Sequence, residues 1–224
     1  MVSIGIGITT YNRPECLKEC LKHILKYTSF DWLNGHSKRK QYEGKTVDDK
    51  NILIYVATDT NEDRKGVAFR KNECLRSLKN CDYVFLLDDD CYPIQDGWID
   101  FCINEGSEHL LFMDDKLHRK IDDKNYRDCG GVFMFMTKKV IDRVGAFNEK
   151  FMRYGFEHAE YSNRITGQRT HYPTNINLKE YIYAHDYSTS NHKSSISDKE
   201  KELYIKNNLH KFFNEPIKNI YLPL

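Results

Sequence analysis

Val84-Phe85-Leu86-Leu87-Asp88-Asp89-Asp90 decides how the rest of the chain is read. Four apolar residues end in three consecutive carboxylates, the pattern of a buried strand whose C-terminal edge delivers negative charge into a cleft. Adjacent carboxylates repel, and a cation is what lets them stay ionised together. Asp88 and Asp90 stand two residues apart, so a shared hard ion such as Mg²⁺ or Mn²⁺ is the natural counter-charge, with a diphosphate completing its coordination. The competing reading is a solvated acidic turn with a helix-capping role.

Working outward, residues 2–9 alternate Val and Ile with Ser and Gly and predict a first strand, whose glycines permit close backbone approach. Pro14 opens a helix that runs to about Tyr27, and Cys16, Leu17, Cys20, Leu21, Ile24 and Leu25 recur on one face of it. Residues 28–49 are polar and read as a long loop or insertion. Residues 51–57 form a second strand ending at Asp59. Gly66 leads into a helix carrying Cys74, Leu75 and Leu78, and residues 83–87 are the next strand. Strand–helix–strand–helix–strand is the order of an α/β domain with a largely parallel sheet, and ligands of such sheets bind at the carboxyl ends of the strands. Tyr11, Asp59 and the three aspartates all fall at those ends. That convergence favours a site over an incidental turn.

Downstream, residues 98–103 predict a short helix, 109–113 a strand, and 129–136 an apolar run containing Gly130-Gly131. A small helix over 138–144 stops at Gly145, 147–155 is loop-like, 156–165 is helical, and 181–185 is a late strand. From about Lys199, Leu203, Ile205, Leu209, Phe212 and Phe213 predict a tail helix that docks across the body.

The chain's 224 residues suit one domain rather than two. Its 34 basic and 33 acidic side chains leave a net charge of +1, without the global field that drives nucleic-acid binding, so no nucleic-acid partner is expected. The seven cysteines contain no Cys-x-x-Cys pair and read as reduced, small apolar side chains. No stretch reaches transmembrane length and the N-terminus lacks the marks of a signal peptide, so the expected place is cytoplasmic, at most peripheral to a membrane through a partner.

Four pieces of the chain together resemble the GT-A fold nucleotide-sugar glycosyltransferases of the large family-2-like group, over roughly residues 3–187. Ile8-Thr9-Thr10-Tyr11-Asn12-Arg13 resembles the first strand and turn against the nucleoside. Gly66-Val67-Ala68-Phe69-Arg70-Lys71-Asn72 is similar to the helix start over the nucleotide. Leu87-Asp88-Asp89-Asp90 looks like the metal-binding DxD motif. The fourth piece, similar to the acceptor-side block, comprises Gly130-Gly131, the run from Val144 to Phe151, and Gly155-Phe156-Glu157 through Arg164.

The resemblance implies a GT-A, Rossmann-like α/β fold with a mostly parallel central sheet flanked by helices. It implies one catalytic domain over 1–224, with a nucleotide-binding half at 1–92, an acceptor-side half at 93–198 and a helical tail at 199–224. Asp90 is expected as the direct metal ligand, with Asp88 reaching the ribose or a metal-bound water, Asp89 at the donor or turned back into the protein, and His185 as a late further ligand. Thr9, Tyr11, Arg13, Asp59, Arg70, Asp88 and Asp89 are the expected donor contacts, with Arg64 and Lys65 as further basic candidates. Asp59 stands in Thr58-Asp59-Thr60-Asn61 where the family has Asp-Gly-Ser/Thr. The acceptor base falls to Glu157, His158 or Glu160 in that order, because Glu157-His158 replaces the family's Glu-Asp. His171, His192 and Lys193 are candidate phosphate contacts, and Trp98, Tyr126, Phe147, Phe151 and Tyr154 candidate sugar platforms.

The reading is therefore a Mn²⁺- or Mg²⁺-dependent, inverting transferase. It moves a sugar from a nucleoside diphosphate donor, UDP-linked by preference, to a glycan or glycoconjugate hydroxyl. A second copy of the chain is a candidate partner. The alternatives are a non-catalytic carbohydrate-binding or scaffold protein on the same fold, and a sugar nucleotidyltransferase. Against the latter, the first loop lacks a Gly-rich, basic segment to cradle a triphosphate.

Overall fold

Ile4, Ile6 and Ile8 point to one face of the first strand while Gly5 and Gly7 occupy the other, and this alternation sets the architecture. A Cβ at Gly5 or Gly7 would stand 2.9 or 2.7 Å from the side chains of Leu78 and Cys74. The helix over the strand therefore packs directly on its backbone. Strand β1 spans Ser3–Tyr11, longer than expected, so Thr10 and Tyr11 ride on the strand itself.

The computed structural model describes residues 2–28, 30–36, 41–46, 51–113, 125–126, 129–151, 153–169, 172–175, 177–185, 196–214 and 221–224, with 30–36, 41–46 and 125–126 known by their backbone alone. After β1 come α1 (Pro14–Tyr27), β2 (Phe30–His36), β3 (Gln41–Thr46), β4 (Asn51–Asp59), α2 (Val67–Leu78), β5 (Tyr83–Asp88) and β6 (Cys91–Pro93). Then follow α3 (Trp98–Asn104), β7 (His109–Phe112), β8 (Asn125–Tyr126), β9 (Gly130–Thr137), α4 (Lys138–Val144) and a 3₁₀ turn (Glu149–Phe151). The last elements are α5 (Glu157–Thr166), β10 (Tyr172–Pro173), α6 (Leu178–Tyr181), β11 (Ile182–Ala184) and α7 (Asp198–Asn214).

Seven strands form the central sheet in the order β2-β3-β4-β1-β5-β9-β7. β1 pairs parallel with β4 and β5, while β3 and β9 run against their neighbours, so five of the seven strands share one direction. This is the expected α/β arrangement, with a parallel centre and mixed flanks. One face, bearing Phe85, Leu87, Phe133 and Phe135, is covered by α1, α3 and α6. The other, bearing Val84, Leu86, Met134 and Met136, is covered by α2, α4 and α5. Alternate residues of β5 and β9 thus enter different cores, which explains why both read as continuous apolar runs.

The expectation of a loop over 28–49 is corrected. β2 and β3 form an antiparallel hairpin that extends the sheet from β4. An edge hairpin is held by its backbone ladder and needs no continuous apolar run.

Away from the sheet, β6 and β11 pair antiparallel, as do β8 and β10. The tail helix docks as expected. Asn208 Nδ2 donates toward the carbonyls of Phe151, Tyr154 and Gly155 at 2.7–3.1 Å, and the buried Phe212 packs on Phe156. Beyond it, Leu222 bridges to the segment after α4 through Ala146 N–H and its own N–H.

Candidate active site

A cleft of about 180 Å³ opens at the carboxyl ends of β1, β4 and β5. β1 and its turn bring Thr9, Tyr11 and Arg13, β4 brings Asp59, and β5 brings Asp88 with Asp90 just beyond it. His185 reaches the same cleft because the β6–β11 pairing continues one step further, where the His185 N–H donates to the Asp90 carbonyl at 3.1 Å. Residues far apart in sequence therefore meet where an α/β sheet presents its ligands.

The three aspartates have different surroundings. Asp88 accepts from Thr9 Oγ1 at 2.9 Å. Burial raises its carboxyl above the ordinary range against the pull of Lys71, and Asp90 adds to the rise. Asp90 faces the cleft and pairs with Arg13 Nη1 at 2.6 Å. Asp89 turns inward: it is fully buried, ion-paired with Arg13 and hydrogen-bonded to Thr10 Oγ1. Burial pushes it up to about 7, opposed by Arg13. The expected donor contact through Asp89 is accordingly not among the groups brought to the cleft; this residue instead fixes the turn that aims its neighbours.

Asp59 is also heavily engaged. Its Oδ1 accepts from Lys65 N–H at 2.8 Å and from Arg70 Nε and Nη2 at 3.1 and 3.0 Å, and its Oδ2 accepts from Gly66 N–H at 2.9 Å. Arg70 further holds Asp63 and Glu73. The pair clamps the 60–66 loop, leaving Asp59 Oδ2 one more acceptor direction for a ligand. Lys65 lies outward, paired with Asp63. Arg64 faces the cleft, its guanidinium 4.6 Å from the centre of the Tyr11 ring, while Tyr11 Oη donates to Asn61 Oδ1 at 2.7 Å.

Sequence reasoning missed two cations of the cleft, Arg153 and Lys201. Arg153 donates to Tyr204 of α7 at 3.1 Å, and Lys201 sits on α7 itself. A lysine in a charge-rich tail looks solvated, and only the docking of α7 brings it to the cleft.

The three base candidates separate. Glu157 is buried at the start of α5, with Oε1 3.0 Å from the equally buried Lys71 Nζ, which also donates to Gly131 O at 2.9 Å. Burial works against ionisation of Glu157, but Lys71 and then His158 outweigh it and hold the carboxyl well below its usual range. His158 Nδ1 stands 3.5 Å from the same oxygen. Glu160 does not join them: both its oxygens pair with Arg164, which also donates to the carbonyls of Val144 and Ala146, tying α5 to the end of α4.

Trp98, Phe147 and Phe151 are core residues, not sugar platforms, each 1% exposed or less. Their apolar area is worth more inside than at a wet cleft. Tyr154 does line the cleft. The side chain of Tyr126, and His171, His192 and Lys193, lie outside the described residues.

Asp88 and Asp90 fit a hard divalent ion. Their oxygen donors match Mg²⁺ or Mn²⁺, His185 adds a nitrogen donor that Mn²⁺ accepts, and the mutual repulsion of the carboxylates calls for positive charge. Among the described residues no group of three or more His, Cys, Asp and Glu side chains is placed to hold an ion by itself.

No protein-family profile matches the chain. An uncharacterized glycosyltransferase of Acanthamoeba polyphaga mimivirus is 28% identical over 196 residues, covering 75% of each chain. Among solved structures, the catalytic domain of Drosophila beta1,4galactosyltransferase 7 in complex with xylobiose superposes with a TM-score of 0.51 at 13% identity, covering 91% of this chain and 79% of that one. GalNAc-T7 with UDP, GalNAc and Mn²⁺ gives a TM-score of 0.52 at 14% identity, covering 79% of this chain and 43% of that one. The chain has the GT-A fold of these glycosyltransferase structures, and its sequence is similar to that of the mimivirus glycosyltransferase.

Proposed function

We propose that the chain transfers a sugar from a nucleoside diphosphate donor, UDP-linked by preference, to a hydroxyl of a glycan or glycoconjugate, with inversion and with Mn²⁺ or Mg²⁺. The observation that carries this reading is the meeting of Asp88, Asp90 and His185 with Arg64, Arg153 and Lys201 in one cleft at the strand ends. Carboxylates for an ion beside cations for phosphate are what a nucleoside diphosphate requires. GalNAc-T7, of the same fold, was crystallised with UDP and Mn²⁺, which supports the choice of nucleotide and metal.

In this reading Tyr11, Arg64 and Asp59 receive the nucleoside, and Arg153 and Lys201 reach the phosphates. Asp88 and Asp90 would hold the ion together with the donor's phosphates, with His185 in the same cleft, and the ion would supply charge neutralisation of the departing diphosphate. Residues 1–92 form the donor half of one catalytic domain, and 93–198 carry the acceptor side. Inversion follows from a single displacement in which a protein base at the start of α5 takes the acceptor proton.

No helix among the described residues is long and apolar enough to cross a membrane. The seven cysteines are free thiols, the form that a reducing, cytoplasmic setting maintains.

The test is to incubate the protein with UDP-, GDP-, CDP- and dTDP-linked sugars, a saccharide panel and Mn²⁺, and to measure release of the nucleoside diphosphate. Release from one nucleotide class that EDTA abolishes is expected. Equal release from all classes, or release indifferent to EDTA, contradicts the proposal.

A further inference from the structure

We propose that Tyr183, backed by Tyr92 and His23, is a platform on which a sugar ring of the acceptor stacks beside the cleft. The inference deepens the transferase reading and rests on it, naming a binding surface for the saccharide that receives the sugar.

The β6–β11 ribbon sets the position. Tyr183 stands opposite Tyr92, with Ala184 opposite Cys91 and Ile182 opposite Pro93. Side chains alternate between faces along each strand. Cys91 and Ile182 fill the core, so Tyr92 and Tyr183 take the outer face. Ile94, two residues past Tyr92, extends that face and is 37% exposed. In the other direction the ribbon runs to the cleft, where the His185 N–H donates to the Asp90 carbonyl and both residues line the opening. Tyr183 and His185 share a side, with Tyr183 Oη 3.5 Å from His185 Nδ1. Tyr183 is not part of the cleft wall and adjoins it through this contact.

Stacking holds the surface in place. The Tyr92 ring lies 4.3 Å from that of His23 and 5.0 Å from that of Tyr183, centre to centre, and the two tyrosines are inclined by only 27°. Each ring nitrogen of His23 has a partner, the Pro93 carbonyl at 3.1 Å and Glu19 Oε1 at 3.0 Å. Among the described residues the row ends on Tyr183, which is 39% exposed. Tyr92 covers one face of its ring and leaves the other for a ligand.

The chemistry of that face selects the occupant. A pyranose presents C–H groups on one side and hydroxyls around its edge. A tyrosine meets both, with an apolar ring face and a phenol that hydrogen-bonds. Because the stack already orders Tyr183, little side-chain freedom is lost on binding. A nucleobase is flat too, but Tyr11, Asp59 and Arg64, which would receive the nucleoside, come from β1, β4 and the 60–66 loop. Tyr183 is joined to the cleft at His185 and Asp90 instead. That is the ion's end, where the transferred sugar parts from the diphosphate, so a ring on Tyr183 belongs to the receiving saccharide.

The test is saturation-transfer NMR on the protein with UDP and Mn²⁺, using methyl glycosides of glucose, galactose, mannose, xylose and N-acetylglucosamine as probes. At least one probe should take up saturation through the C–H protons of one ring face. Tyr183→Ala should weaken the affinity for that probe about 5–10-fold, the loss of one ring stack, while calorimetric UDP affinity stays within about twofold of wild type. Tyr183→Phe removes the hydroxyl beside His185 and keeps the ring, so it should bind the probe within about threefold of wild type. A probe bound equally by wild type and Tyr183→Ala, or no probe bound by the wild type, overturns the proposal and leaves the donor site standing. UDP affinity lost in Tyr183→Ala with the probe unaffected assigns the ring to the nucleoside and overturns it as well. So does a dimer in sedimentation velocity that Tyr183→Ala dissolves, which gives the surface to a second copy of the chain. Failure of the wild type to bind UDP or any other nucleoside diphosphate overturns the transferase reading and this one with it.

Discussion

Lys71 and Glu157 are 86 positions apart and meet at 3.0 Å in the interior. Neither advertises this in the sequence, where Lys71 simply follows Arg70 in the helix start at Gly66–Asn72. Breaking such a pair strands one charge without solvent, whereas removing both charges can be nearly neutral. Lys71→Met is therefore expected to cost about 3–5 kcal/mol in chemical denaturation, and Lys71→Met/Glu157→Gln to recover most of that loss. Losses that simply add would show that the two charges do not depend on each other. Gly131 offers a second single-residue test. Gly131→Ala puts a methyl group into the His158 ring, and overpacking of this kind should cost about 1–3 kcal/mol in chemical denaturation. Unchanged stability would mean that the ring moves aside without loss of packing.

β7 and β9 bury His109 completely, with its ring nitrogens on Phe135 O and on Ser162 Oγ of α5, both at 2.8 Å. Burial lowers its pKa to about 4, below the ordinary 6.5. The unfolded chain thus binds a proton more readily than the folded one. The stability this group contributes is complete above about pH 6.5 and is lost as the pH falls toward 4, at up to about 1.4 kcal/mol per pH unit. Urea denaturation at pH 7.0, 6.0 and 5.0 should show the fall, and His109→Gln should flatten it. A slope unchanged by His109→Gln would assign the acid sensitivity to other groups. At this scale legibility followed apolar pattern. α1 was readable to the residue because Pro14 starts it and one apolar face runs to its end. The β2–β3 hairpin was not, because a polar edge hairpin depends on a partner strand that local sequence does not name.

The cleft is a property of the whole chain. The aspartates and the first turn could be read as a site because strand ends converge in any α/β sheet. Arg153 and Lys201 could not: Lys201 reaches the cleft on the docked α7, and Arg153 stands in a loop that hydrogen-bonds to Tyr204 of that helix. Asn208 is the fastening of that helix, hydrogen-bonded to the carbonyls of 151, 154 and 155. Asn208→Ala leaves those buried acceptors unmet and should cost about 1–3 kcal/mol of stability. Because Lys201 moves with α7, it should also weaken UDP binding several-fold. Weaker folding with unchanged UDP affinity would remove α7 from the donor site.

The most direct measurement of the central claim is calorimetric titration of UDP, with and without Mn²⁺, into the wild type and Asp90→Asn. The arrangement of Asp88, Asp90, His185 and the facing cations predicts Mn²⁺-dependent binding that Asp90→Asn loses. Binding that ignores both Mn²⁺ and the substitution would contradict the donor site described at the end of β5.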